Sequence, residues 1–106
     1  MGGPSDGSHY EVKPGPHSGK QIRAIHQRAM ADGGGNLILA AYDLIVRSLQ
    51  SEPFDFGEPM FRYHGLRAEM RIGIIAPLCI TFLVAEDFPV VTIRDIVELG
   101  TSGDDK

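Results

Sequence analysis

Apolar residues recur at Leu37, Ala40, Ala41, Leu44, Ile45 and Leu49, a helical spacing that predicts an amphipathic helix with Asp43, Arg47 and Gln50 outside. Asn36 stands where an N-cap belongs. Pro53 forbids continuation, because it lacks a donor and clashes with the preceding turn. A weaker helix precedes it: Ile22, Ile25 and Ala29 keep the same spacing, and Ser18 with Gln21 three residues on has the capping-box form. Asp32 and Gly33–Gly35 end that helix, and so short a loop predicts two antiparallel helices.

The period then changes from helical to alternating. Leu66, Ala68, Met70, Ile72 and Ile74 fall on one face, with Arg67, Glu69 and Arg71 on the other, which predicts a strand broken at Ala76-Pro77. Leu78 to Ala85 is apolar on both faces, the mark of a central strand. After a turn at Glu86–Pro89, the segment Val90–Leu99 alternates again and closes a three-strand meander. At the other end of the chain, Tyr10 and Val12 alternate within a short strand, His9–Lys13, that Pro14-Gly15-Pro16 stops. The expected fold is α+β in the order β-α-α-β-β-β, with two antiparallel helices on one face of a mainly antiparallel twisted sheet. The expected core comprises Ile22, Ile25, Leu37, Ala41, Leu44, Ile45, Met70, Ile72, Ile80, Phe82, Val91 and Ile93. Residues 9–99 form one domain, flanked by a Gly/Pro/Ser-rich segment 1–8, expected to be mobile, and a polar tail 100–106.

Length and composition support one self-sufficient core. At 106 residues and 11.5 kDa, folding needs no metal or disulfide staple. The lone Cys79 has no partner for an intramolecular bridge, which favours a reducing compartment. It lies in the most apolar strand and is expected to be buried and unreactive. No apolar run reaches the ~18 residues of a membrane span. MGGPSDGS has neither the basic start nor the apolar core of a secretory signal, so a cytoplasmic location is expected.

Charge narrows the chemistry. Ten Lys and Arg against fourteen Asp and Glu give a net −4, a poor foundation for phosphate-dominated binding. The cations are nevertheless clustered, and Arg62, Arg67 and Arg71 crowd one stretch of strand. Two readings of Arg67, Glu69 and Arg71 stand side by side. One is a solvated face with an internal ion pair, worth little to stability. The other is an anion or RNA-backbone site, in which arginine forks hold phosphate and stabilise a pentavalent transition state, with Arg94 joining from the neighbouring strand. His64, between Arg62 and Arg67, is the one histidine placed for proton transfer. The four histidines form no i, i+4 pair and have no cysteine partner, so no metal site is read, and no cofactor is implied. Gly15 to Gln21 falls one residue short of phosphate-loop spacing and lacks the hydroxyl, and Gly33–Gly35 follows a helix rather than a strand.

This order of elements resembles the RelE/ParE family of toxin-antitoxin toxins. The likeness rests on the opening strand into a capped helix, on Leu49, Pro53, Gly57, Pro59 and Met60 at the end of the second helix, and on Phe61, Gly65, Leu66, Arg71 and Gly73 in the following strand. It spans residues 9–99. It implies a toxin-like component of a bacterial type II toxin-antitoxin, or plasmid-stabilisation, system. The partner is then a cognate antitoxin and the target ribosome-bound RNA or gyrase, with a homodimer left open. Arg67, Arg71 and His64 become the catalytic candidates, and Arg62 and Arg94 the anion-binding ones. Two features depart from the family's mRNA-cleaving members. Ile74, Ile75, Ala76 and Pro77 replace the tyrosine and arginine after the glycine, and the closing strand offers Ile96–Leu99 instead of a terminal Tyr or His. Weak or absent cleavage is therefore expected. The alternative reading is a non-enzymatic, ParE-like or orphan protein-binding module.

Overall fold

The computed structural model describes residues 9–99; the expectations for segment 1–8 and tail 100–106 lie outside that range. Its order is β1 (Glu11–Pro14), α1 (Pro16–Ala31), α2 (Gly35–Ser51), β2 (Glu58–Tyr63), β3 (Ala68–Ile75), β4 (Leu78–Ala85) and β5 (Val90–Glu98). The α+β architecture is as expected, with one further strand. Glu58–Tyr63 pairs antiparallel with β3, extending the meander to four strands. The Pro/Gly-rich corner had hidden it: Pro59 is tolerated because β2 is an edge strand, and a bulge interrupts its ladder between Pro59 and Phe61. The sheet runs β1-β5-β4-β3-β2, with only β1 and β5 parallel.

Both helices lie on one side of this sheet. Ile25, Ile38, Ile45 and Leu49 meet Leu78, Ile80, Phe82, Val84, Val91, Ile93 and Ile96 in one buried cluster. The helix termini differ from the expected caps. Helix α1 starts two residues before Ser18, with Gly15 as N-cap and Pro16 in the first turn, where the missing N–H is harmless. Ser18 and Gln21 instead tie α1 to β5. The buried Ser18 hydroxyl donates to the Ile93 carbonyl at 2.7 Å, and the Ile96 N–H donates to Gln21 Oε1 at 2.8 Å. Helix α2 begins at Gly35, after Gly34, so Asn36 is not its cap. A Cβ on Gly35 would stand 2.7 Å from Met30 Cγ, so its small size lets the two helices close together.

Three expectations about facing are corrected. Leu37 and Leu44 are 61 % and 50 % exposed, while Ile38 is buried. Leu37 to Ala41 is apolar throughout, so periodicity alone does not select the stripe; docking on the sheet turns Ile38 and Ile45 inward. Leu66 is not in a strand but in the exposed turn before β3. Most consequentially, the register Arg71↔Phe82 and Gly73↔Ile80 puts Glu69, Arg71 and Gly73 on the helix side of the sheet. Met70, Ile72 and Ile74 therefore belong to the other side, the reverse of the expected assignment, because strand parity names two faces without saying which is covered. In β5 a bulge at Arg94 shifts the alternation by one, so that Ile96 follows Ile93 into the core.

Candidate functional site

Arg71 is built into the fold. Its side chain is 7 % exposed and forms an ion pair with Glu69, itself 16 % exposed. The remaining donors reach the carbonyls of Phe56 (Nε, 3.2 Å) and Gly57 (3.1 Å). This guanidinium clamps the α2–β2 corner onto β3. The corner supports it from above: Phe56 stacks on Phe82 with ring centroids 5.8 Å apart, and Gly73 leaves the space that Phe56 occupies. Gly57 has φ +73° and sits so near the Ile72 carbonyl that no Cβ fits.

The other candidate cations are spread out and mostly neutralised. Arg62 donates through Nε to Glu86 at 2.8 Å, and that carboxylate raises the guanidinium pKa further. Arg67 pairs with Asp87 at 2.9 Å and has a left-handed backbone, φ 51°, in the turn that also carries the exposed His64. Arg94 is exposed at the β5 bulge and has no carboxylate partner among the described residues. Arg71 is thus buried on the helix side, His64 and Arg67 occupy one turn, and Arg94 lies two strands away from β3. The structure does not gather these side chains around a common cleft. Among the described residues no group of His, Cys, Asp and Glu is arranged to hold a metal ion. No helix among them is long and apolar enough to cross a membrane.

What the fold does assemble is an apolar sheet face that the two described helices leave uncovered, with Met70 buried and Ile74 exposed within it. Cross-strand register brings together Phe61 and Tyr63 of β2, Met70, Ile72 and Ile74 of β3, Cys79, Thr81 and Leu83 of β4, and Thr92, Asp95 and Val97 of β5. Both described helices lie on the other side. Ile74 is 57 % exposed and Val97 is also well exposed, while Phe61 and Tyr63 form an exposed edge-to-face pair at 4.9 Å. Cys79 belongs to this face and is half-buried rather than fully buried as expected; desolvation raises its thiol pKa. A crevice of about 320 Å³ opens at the β2–β3 edge of the sheet, lined by Gly57, Glu58, Ile72, Gly73 and Ile74. An open sheet face was expected on the side of Arg67, Glu69 and Arg71; the outward residues of β4, a strand apolar on both faces, line it instead. The signal for an open face was present in that two-sided apolarity, since only two helices were available to cover the sheet.

Comparison of the chain with protein-family models, curated proteins and solved structures finds no match.

Proposed function

We propose that this chain is a non-enzymatic protein-binding module that docks a partner on the open face of its sheet. The observation that carries the reading is an apolar face spanning β2 to β5 on which no helix or strand of the described residues packs, with a crevice beside Ile72 and Ile74 able to take a side chain. The state of the arginines points the same way. A phosphate site needs unpaired forks, whereas Arg62, Arg67 and Arg71 each already hold a carboxylate. In the toxin-antitoxin setting that the resemblance implies, the chain is toxin-like through binding rather than through RNA cleavage.

A second reading keeps the endonuclease. Its support is the β2–β3 turn, where Arg67 carries a strained backbone beside His64, the kind of local strain that collects at functional sites. Two experiments separate the readings. The purified chain should enhance the fluorescence of an apolar dye at low protein concentration, and Ile74→Asp or Phe61→Asp should abolish this without changing the far-UV spectrum. Purified chain mixed with translating ribosomes should leave mRNA intact. Cleavage that disappears in Arg67→Ala or His64→Ala would overturn the binding reading in favour of the nuclease.

A further inference from the structure

The docking face leaves the identity of its occupant open, and three features of the molecule narrow it. Lateral strand addition is obstructed at both edges of the sheet. Edge strand β2 carries Pro59, which has no N–H to donate, and is bulged between Pro59 and Phe61. At the other edge β1 pairs with only the first half of β5, and Gln21 accepts the Ile96 N–H that an incoming strand would use. Stacking on the face is the route left.

Charge is the second feature. The outward positions of β3 and β4, from Ala68 to Ile74 and from Cys79 to Ala85, carry no charged side chain. Charges near the face flank β3 and β4 and have both signs: Glu11 and Lys13 on β1, Glu58 on β2, and Arg94 and Asp95 at the β5 bulge, where Asp95 stands opposite Thr81. Such a surface has no charge at its centre with which to select a foreign partner. Laid on its own copy, the β3–β4 centre brings no charge against another, and the flanking charges of both signs stand where they can pair or stay wet.

Area is the third. Eight-residue strands such as β3 and β4 are ~26 Å long at ~3.3 Å per residue, and four strands are ~19 Å wide at ~4.8 Å spacing. Each copy then offers ~500 Å² in projection, and two copies bury ~1,000 Å² before side-chain relief is added, the size at which specific interfaces begin.

We propose that the occupant is a second copy of this chain, packed sheet against sheet in a two-fold dimer about 10 Å between layers, as in a β-sandwich. The proposal rests on the docking reading and names its partner. Ile74 and Leu83 pack across the interface, and the Phe61–Tyr63 pair covers one flank.

The test is the mass of the purified chain by sedimentation equilibrium between about 1 and 100 μM, read together with apolar-dye fluorescence. Wild type should show twice the chain mass and should bind dye only on dilution. Ile74→Asp and Phe61→Asp, at sites already well exposed in the monomer, should weaken dimerisation at least tenfold and keep the wild-type unfolding midpoint once they and wild type are diluted to monomer. Leu44→Asp, on the outer side of α2, should leave the dimer unchanged. Cys79 should react with a thiol reagent more slowly as protein concentration rises. A monomer at the highest concentration that still binds dye through Ile74 overturns the dimer and leaves the docking reading standing. A monomer that binds no dye overturns both. A dimer indifferent to Ile74→Asp and Phe61→Asp, or one abolished by Leu44→Asp, overturns this interface.

Discussion

Replacing Arg71 by methionine tests whether this guanidinium is a structural clamp or a solvent-facing catalytic group. Methionine fills the space of the aliphatic stem but removes every donor. Two corner carbonyls, those of Phe56 and Gly57, then lose their partners, at about 1 kcal/mol each. Glu69 loses its counter-charge in a site with little access to water, and breaking a buried pair from one side costs about 3–5 kcal/mol in all. Because Glu69 keeps some solvent contact, the low end applies, and the expected loss is about 3 kcal/mol. For a domain of this size that corresponds to a fall in Tm of roughly 15 °C. Glu69→Gln should cost less, about 1 kcal/mol, since its side-chain oxygen still accepts from Arg71. The double variant Arg71→Met/Glu69→Leu removes the stranded carboxylate and should recover about 1–2 kcal/mol relative to Arg71→Met alone. Guanidinium chloride unfolding followed by circular dichroism supplies each midpoint and slope. Arg71→Met within 1 kcal/mol of wild type at unchanged slope, or a double variant less stable than Arg71→Met, would refute the clamp.

Three further outcomes follow from particular contacts. Ile45→Ala should cost about 2–5 kcal/mol and Leu44→Ala less than about 0.5, because the first side chain is fully buried and the second half in solvent; equal losses in chemical denaturation would contradict the orientation of α2. Gly57→Ala combines a left-handed backbone with a Cβ 2.1 Å from the Ile72 oxygen, and should lose at least about 3 kcal/mol or fail to accumulate as folded protein; a midpoint within 1 kcal/mol of wild type would show that the corner is misplaced. Desolvation raises the folded-state pKa of Cys79 above its ordinary 9.0 and that of Tyr42 above 10.0, so the folded chain holds protons that the unfolded chain releases. The contribution of these two groups is therefore fully present below about pH 8.5 and is lost as pH rises through 9 and 10. Unfolding midpoints across that range should decline less steeply below pH 10 in Cys79→Ala, and an unchanged slope would exclude the thiol as a contributor.

The sequence by itself determined where several elements stop, since those boundaries depend on local chemistry, although it misplaced both helix N-caps and hid β2. Pro53 stops α2 because it has no donor, Gly33 closes α1 by adopting φ +85°, and the Glu86–Pro89 turn separates β4 from β5. It also determined the α+β class, because helical and alternating periods leave different imprints on the chain. Tertiary structure decided facing and partnership. Period two shows that Arg67, Glu69 and Arg71 share a parity, but only pairing with β4 beneath the helices sends Arg71 inward and Ile74 outward. The outer and inner stripes of α2 are both apolar, so sheet contact and not composition chose Ile38 over Leu37. The bulge at Arg94 is a long-range irregularity in a ladder, invisible in a run that alternates smoothly on paper. Charge obeyed the same division. Arg62 with Glu86 and Arg67 with Asp87 are joined across the turn at the end of the sheet, so whether a cation is free for an anion depends on which acid the fold delivers to it.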